Sequence, residues 1–270
     1  MKKFFTIAAL ALTGIALAAC SSNSNASSSS NNSSDDALAQ IQKAGVLNVG
    51  TEGTYSPYSY HDESGKLVGY DVEVAEKVAE KLGVKAKFTE TKWDSLLAAI
   101  DAGRIDTVAN QVGVTDERKE KYDFSTPYTY TYGALIVKGD NKDIKTFDDI
   151  KGKKSANTNT SNYGKSAVEY GATLVPVDGF AQSVELITSG RAELTLNANI
   201  AFLDYKKQHP DADIKVVAED SNQEASAFPV KKGNDKLVKE IDKALDELAK
   251  DGTLTELSNK YFGSDVSKAK

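Results

Sequence analysis

The chain has 270 residues, enough for two modest domains or one large one. Its 33 Lys and Arg are interspersed with 39 Asp and Glu, a balance that argues against nucleic acid as a partner and for plain solubility. One cysteine excludes an intramolecular disulfide, and His61 and His209 sit in polar contexts without ligand spacing, so neither a metal site nor a cofactor is expected.

Met1-Lys-Lys and the apolar run from Phe4 to Ala19 have the charged start and short hydrophobic core of a secretory signal, too short to span a bilayer. The run ends in Leu17-Ala18-Ala19-Cys20, which resembles the lipobox of bacterial lipoproteins, cleaved before a cysteine that becomes lipid-modified. Residues 1–19 are therefore expected to be removed and Cys20 to be acylated, which leaves no thiol for catalysis. Residues 20–34 comprise that cysteine and a stretch of serine and asparagine with one alanine, a composition that cannot bury a core. It reads as a flexible tether with a root-mean-square span of roughly 20 Å.

Val46 to Gly50 is a short β run that stops at a Gly- and Pro-punctuated loop from Thr51 to Tyr58. Asp71 is expected to cap an amphipathic helix with Val72, Ala75, Val78, Ala79 and Leu82 on one face, closed by Gly83. Strand (Lys85 to Thr89), helix (Trp93 to Ala102) and strand (Ile105 to Asn110) follow, then a long strand from Tyr128 to Val137. This alternation predicts an α/β fold with largely parallel sheets. In Asn110-Gln-Val-Gly-Val-Thr-Asp-Glu-Arg118 the strand ends, turns at Gly113 and opens a helix N-capped by Thr115. Arg118 then lies at the positive end of a helix dipole, where a cation is disfavoured without an anionic partner. A guanidinium fork beside the free N–H groups after Gly113 suits a planar carboxylate. An exposed arginine paired with Glu117 or Asp116 is the plainer alternative.

An internal echo points to two lobes built alike. Ala102-Gly-Arg-Ile-Asp-Thr-Val-Ala-Asn110 matches Ser189-Gly-Arg-Ala-Glu-Leu-Thr-Leu-Asn197 position for position. Ligands of open α/β sheets bind outside the carboxyl ends of the strands, so Asn110 and Asn197 would face a cleft from opposite sides. The polar loop from Asn157 to Gly164 precedes a helix, which makes it either a second anion-friendly pocket or ordinary N-capping. The chain returns at about Phe228 to Lys231 and closes with an amphipathic helix from Asp235 to Lys250. Two crossings would make a two-stranded hinge. Tyr55, Tyr58 and Trp93 lie at loop or helix-start positions and are candidate ligand aromatics; Tyr128, Tyr130 and Tyr132 alternate on one strand face and read as structural.

The stretch Asn110 to Arg118, continued by Tyr122-Asp-Phe-Ser-Thr-Pro-Tyr128, resembles the central signature of the extracellular solute-binding proteins that feed polar amino acids to ABC importers. The resemblance runs from about Gly45 to about Gly263, where Asp251 to Gly263 resembles the family's closing motif. It implies a two-lobed periplasmic-binding-protein-like fold of type II, with residues 35–137 and 228–270 in one lobe and 138–227 in the other. It further implies Arg118 on the ligand's α-carboxylate with the Gly113 N–H, Thr160 and Ser161 beside it, Asn110 and Gln111 on polar atoms, and Tyr55, Tyr58 and Trp93 around the side chain. Trp93-Asp-Ser-Leu, Ala109-Asn-Gln-Val-Gly, Thr160-Ser-Asn-Tyr-Gly and Ala201-Phe-Leu-Asp-Tyr look most like the family's cystine-binding branch, which makes L-cystine the expected cargo. One position departs: Ala198 stands where the family places an aspartate for the ammonium. A lost charge-assisted contact is worth about 1.5–3 kcal/mol, so Glu52 or Glu224, Glu52 first, is expected to compensate.

The resemblance thus implies a non-enzymatic, monomeric, lipid-anchored binding protein on the extracellular face of the cell membrane, delivering an amino acid to a membrane permease. Two other classes compete. A surface adhesin could keep the fold with weakened binding, which Ala198 and the tether would allow. A dehydratase on the same scaffold would require a cleft acid or base, whereas the matched positions are amides, hydroxyls and an arginine.

Overall fold

The computed structural model describes residues 36–270, so the signal segment, Cys20 and the tether lie outside the described residues. Helix α1 (Ala37–Ala44) is closed by Gly45 at a φ of 68° and leads into β1 (Val46–Thr51). The following loop is more ordered than the sequence suggests: β2 (Thr54–Tyr55), β3 (Ser59–His61) and β4 (Leu67–Val68) pair as a small antiparallel sheet. Then come α2 (Tyr70–Lys81), β5 (Lys85–Glu90), α3 (Trp93–Asp101) and β6 (Thr107–Val108), and β5, β1 and β6 form a parallel sheet with β1 in the middle. The expected Asp71 cap is not one. Gly69 precedes the helix at a φ of 134°, and Asp71 lies inside the first turn with its carboxylate buried against other partners.

Helix α4 (Asp116–Lys121) begins as the sequence predicts, with the Thr115 hydroxyl accepting from the Arg118 N–H at 3.3 Å. After β7 (Tyr122–Phe124), the long strand β8 (Thr129–Lys138) carries the chain into the second lobe. A 3-10 turn over Phe147–Ile150 is followed by β9 (Lys154–Asn157), α5 (Asn162–Glu169), β10 (Thr173–Pro176), α6 (Phe180–Thr188), β11 (Leu194–Ala198), α7 (Asn199–Gln208) and β12 (Ile214–Ser226). Strand β13 (Pro229–Lys231) returns to pair with β7, and α8 (Asp235–Lys250) and α9 (Thr253–Phe262) complete the first lobe.

The second sheet, ordered β10-β9-β11-β8-β12, is mixed rather than largely parallel. Its parallel part is β10, β9 and β11; β8 runs antiparallel to both β11 and β12. The reason is the hinge: one strand carries the chain out and the other brings it back, so side by side they can only pair antiparallel. Along β8 the faces alternate with period two, Ala134 and Ile136 packing with Phe180, Val184 and Ile187, and Leu135 and Val137 with Ile150, Ala167 and Leu194. The last residues of the segment drawn from sequence as 35–137 therefore pack with the second lobe.

In the first lobe α8 buries Leu237, Ile241, Leu245 and Leu248 in one cluster with Val74, Val78 and Leu47. Each such side chain contributes about 1.5–3 kcal/mol on leaving water. Trp93, Leu96, Ile100, Ile105 and Val108 form a second cluster. This arrangement fixes the carboxyl ends of β1 and β6 opposite the second lobe.

Candidate ligand cleft

The sequence echo is an echo of backbone. Gly103 and Gly190 take φ of 65° and 73°, and the next N–H of each, Arg104 and Arg191, bonds back to Ala99 and Leu186 at 2.9 and 2.8 Å. Glycine ends α3 and α6 in the same left-handed turn, and each turn feeds the strand that ends at the paired asparagine. Asn110 and Asn197 accordingly line one interlobe cavity from opposite sides.

On the first-lobe side, Asn110 is fully buried and its amide oxygen accepts from the Thr51 hydroxyl (3.1 Å), the Glu52 N–H (2.9 Å) and the Ser59 hydroxyl (3.1 Å). Its Nδ2 donates to Glu52 Oε2 at 2.6 Å. Asn110 thus holds the Thr51 to Ser59 loop and aims Glu52, which lines the cavity. Burial pushes the Glu52 carboxyl up to about 7, against the Asn110 bond and the Trp93 backbone, which favour its charged form. Gln111 also lines the cavity, at a φ of 53° that few non-glycine residues adopt. Tyr55 lines it too, and its hydroxyl donates to Asn197 Oδ1 across the lobes at 2.7 Å.

Trp93 packs in the α3 cluster and at the same time faces the cavity. Arg118 stacks over it, 5.4 Å from ring centroid to guanidinium carbon. Arg118 is only 5 % exposed, so the exposed alternative does not hold. Two of its five N–H donors find acceptors, Nη1 on the Gly113 carbonyl (2.9 Å) and Nη2 on the Thr160 carbonyl (3.1 Å). Among the described residues no carboxylate lies within 4.0 Å of it, and Arg118 itself stands beside the cavity lining rather than in it. Gly113 and Ser226 face each other as an antiparallel bridge whose bonds run from Ala227 N to Val112 O and from Val114 N to Ala225 O. Gly113 is therefore at a non-hydrogen-bonded position, and its own N–H and carbonyl point away from that ladder.

On the second-lobe side the cavity is lined by Ser161, Asn162, Tyr163, Phe180 and Ser183 as well as Asn197. Ser161 also caps α5, accepting from the Gly164 N–H at 2.9 Å. Of the expected site residues, Gly113 and Arg118 stand beside the lining, and Tyr58 and Thr160 lie elsewhere. Tyr58 has no exposed surface and packs in the first-lobe core, 4.9 Å from Tyr55 and 5.6 Å from Phe262 between ring centroids, because the β2–β3 turn folds its ring inward. Thr160 is exposed and engaged outside the cavity: its N–H and hydroxyl donate to Asp94 Oδ1 at 2.9 and 2.7 Å, and Asn159 donates to Oδ2 at 3.1 Å. Burial works against the Asp94 charge, yet these donors hold its carboxyl below the ordinary value.

Asp94 therefore clasps the two lobes, a role that sequence reasoning missed although the residue stands in the quoted Trp93-Asp-Ser-Leu run. Asp94→Ala is expected to weaken ligand binding about tenfold to a thousandfold, since three bonds made between lobes are lost at about 0.5–1.5 kcal/mol each. Titration calorimetry checks this; unchanged affinity would show that the clasp is irrelevant to closure. Tyr163 was likewise within reach, inside the quoted Thr160-Ser-Asn-Tyr-Gly stretch. Phe180 and Ser183 had no local signal, for they read as an ordinary helix start. Ala198 is 3 % exposed and belongs to the apolar cluster of Tyr58 and Ala201, so it offers the cavity no polar group.

Two α/β lobes, two antiparallel hinge strands and a polar cavity between facing strand ends define a solute-binding protein of the periplasmic type. The chain belongs to the bacterial extracellular solute-binding proteins of family 3, whose family model matches residues 47–264. It is 45 % identical over 269 residues to the L-cystine-binding protein TcyA of Bacillus subtilis, covering 99 % of this chain and 100 % of that one. Among solved structures it is similar to the L-cystine solute receptor of Neisseria gonorrhoeae in the unliganded open conformation, at 48 % identity and a TM-score of 0.57, covering 86 % of this chain and 98 % of that one. An ancestral arginine-binding protein bound to arginine, at 39 % identity, superposes better, with a TM-score of 0.76 over 81 % of this chain and 99 % of that one. The poorer fit to the more similar but open protein accords with the interlobe bonds of Tyr55, Arg118 and Asp94.

Proposed function

We propose that this protein captures a polar amino acid, L-cystine first, between its lobes and presents it to an ABC permease. The observation that carries the reading is Arg118: a buried guanidinium beside an interlobe cavity, with donors to spare and, among the described residues, no carboxylate within 4.0 Å, Glu117 and Glu224 acting on it only from farther off. A buried cation without a counter-ion is unfavourable, and an α-carboxylate arriving in the cleft supplies one. The unengaged Gly113 N–H supports the same placement, and Ser161, Asn162 and Asn197 offer polar atoms from the other lobe. Glu52 takes the ammonium in place of an aspartate at position 198, because it is the carboxylate that lines the cavity. L-cystine is favoured over other amino acids by the high identity to the two cystine-named proteins.

A thermal-shift screen of residues 36–270 against the amino acids tests the reading. Ligand at a hundred times its dissociation constant adds about 2.7 kcal/mol, which raises Tm by about 5–10 °C for a domain of this size. A rise with L-cystine names the cargo; a rise with none would remove the transport reading.

Lipid anchoring at Cys20 and action as a monomer complete the proposal. Among the described residues no helix is long and apolar enough to cross a membrane, so the anchor rests on the Leu17-Ala-Ala-Cys20 motif. Cys20→Ser is expected to move the protein from the membrane fraction to the medium or periplasm, and retention in membranes would disprove acyl anchoring.

A further inference from the structure

Asp71 has no exposed surface, and among the described residues no lysine or arginine lies within 4.0 Å of it. Burying a carboxyl without a cation is unfavourable, and the first turn of α2 would be served as well for folding by an apolar side chain. What Asp71 does hold is Gln111. Oδ2 accepts from the Gln111 backbone N–H at 2.6 Å and Oδ1 from its Nε2 at 2.6 Å, so backbone and side chain of one residue are gripped together. Nε2 is also bonded to the Thr129 hydroxyl at 3.1 Å, and the Tyr128 hydroxyl donates to Asp71 Oδ2 at 3.1 Å. Gln111 is the one non-glycine residue with positive φ among the described residues. Two residues further on, the Gly113 carbonyl seats Arg118.

We propose that Asp71 is a positioning residue of the ligand site: it holds Gln111 in the left-handed conformation that sets Gly113, and through it Arg118, beside the cavity. Without that grip a glutamine relaxes toward ordinary φ values, and the Val112–Gly113 segment leaves the strand in another direction. The same carboxylate reaches the start of hinge strand β8 through Tyr128, so the pocket turn and the hinge share one support. The consequence for ligand binding rests on the reading of Arg118 as the carboxylate anchor; the consequence for Arg118 itself does not.

The test is a cycle of Asp71→Asn and Gln111→Gly in the purified protein, read by two signals. Trp93 is the sole tryptophan and stacks under Arg118, so its emission reports the guanidinium without any ligand. Calorimetry with L-cystine reports the site. Glycine takes a φ of 53° unaided, so Asp71→Asn is expected to red-shift Trp93 and weaken L-cystine about tenfold in the wild-type background, and to change neither in the Gln111→Gly background. Equal effects in both backgrounds, or no effect in either, would overturn the inference. If Asp71→Asn does not fold by circular dichroism, Gln111→Ala against Gln111→Gly decides: a red shift with alanine alone supports it, equal spectra refute it. Should the unsubstituted protein not bind L-cystine, the cargo reading fails while the Trp93 signal still settles the role of Asp71.

Discussion

Arg118→Ala is expected to weaken amino-acid binding by about 30- to several thousand-fold, because it removes one partner of a desolvated, hydrogen-bonded charge pair, a loss of about 2–5 kcal/mol. The same substitution should leave the fold intact. In the ligand-free protein the guanidinium is buried against two carbonyls and the Trp93 ring with no carboxylate within 4.0 Å among the described residues, so its contribution to stability is small. Arg118→Lys should rescue little. An ammonium is a point charge and cannot reach the Gly113 and Thr160 carbonyls while offering a fork to a carboxylate. Calorimetry and thermal unfolding of both variants separate the two effects. Full affinity in Arg118→Ala would place the carboxylate elsewhere in the cavity.

The second large effect concerns pH. In the free protein the Glu52 carboxyl is raised to about 7 by burial. A ligand ammonium prefers the ionised form, so affinity is expected to be flat above pH 8 and to fall by about tenfold per unit below pH 6, until the bound state protonates as well. Glu52→Gln should weaken binding at pH 8 by about ten- to a hundredfold and abolish that slope. The stability of the free protein should move the other way. A carboxyl whose folded value exceeds its ordinary value of 4.5 binds a proton in the folded state that the unfolded chain has already released. Stability contributed by the protonated group is therefore present below pH 4.5 and lost as pH rises through about 7. Asp71, raised to about 7 by burial, acts in the same direction, so the comparison is wild type against Glu52→Gln, whose thermal midpoint should fall less between pH 5.5 and 8. Identical pH dependence of binding in the two proteins would remove Glu52 from the ammonium.

These expectations differ in what they drew on. Arg118 stood out in the sequence because a cation in the first turn of a helix conflicts with the dipole, and Thr115 capped that helix as its residue type demands. The pairing of Asn110 with Asn197 was visible as two copies of one short pattern, and glycine in the left-handed turn explains why the pattern had to repeat. The clasp of Asp94 on Thr160 was not visible. Each residue by itself has an ordinary local role, and their meeting depends on how two lobes approach through a hinge.

By itself the sequence determined most of the longer elements, the hinge crossings in outline and the helix start that carries Arg118, since turns, caps and periodic apolar faces are set within a few residues of chain. Tertiary structure alone decided which polar groups face the cavity. Tyr58 and Tyr55 lie three residues apart on one loop, yet one ring is sealed in the core while the other meets Asn197. Asn110 and Gln111 are consecutive amides, yet one is consumed by the Glu52 loop and the other by Asp71. Phe180 reads as the start of a helix and becomes a wall of the cavity. Local pattern fixes what a side chain can offer; which partner takes the offer depends on groups dozens of residues away, brought within 3 Å by the packing of the lobes.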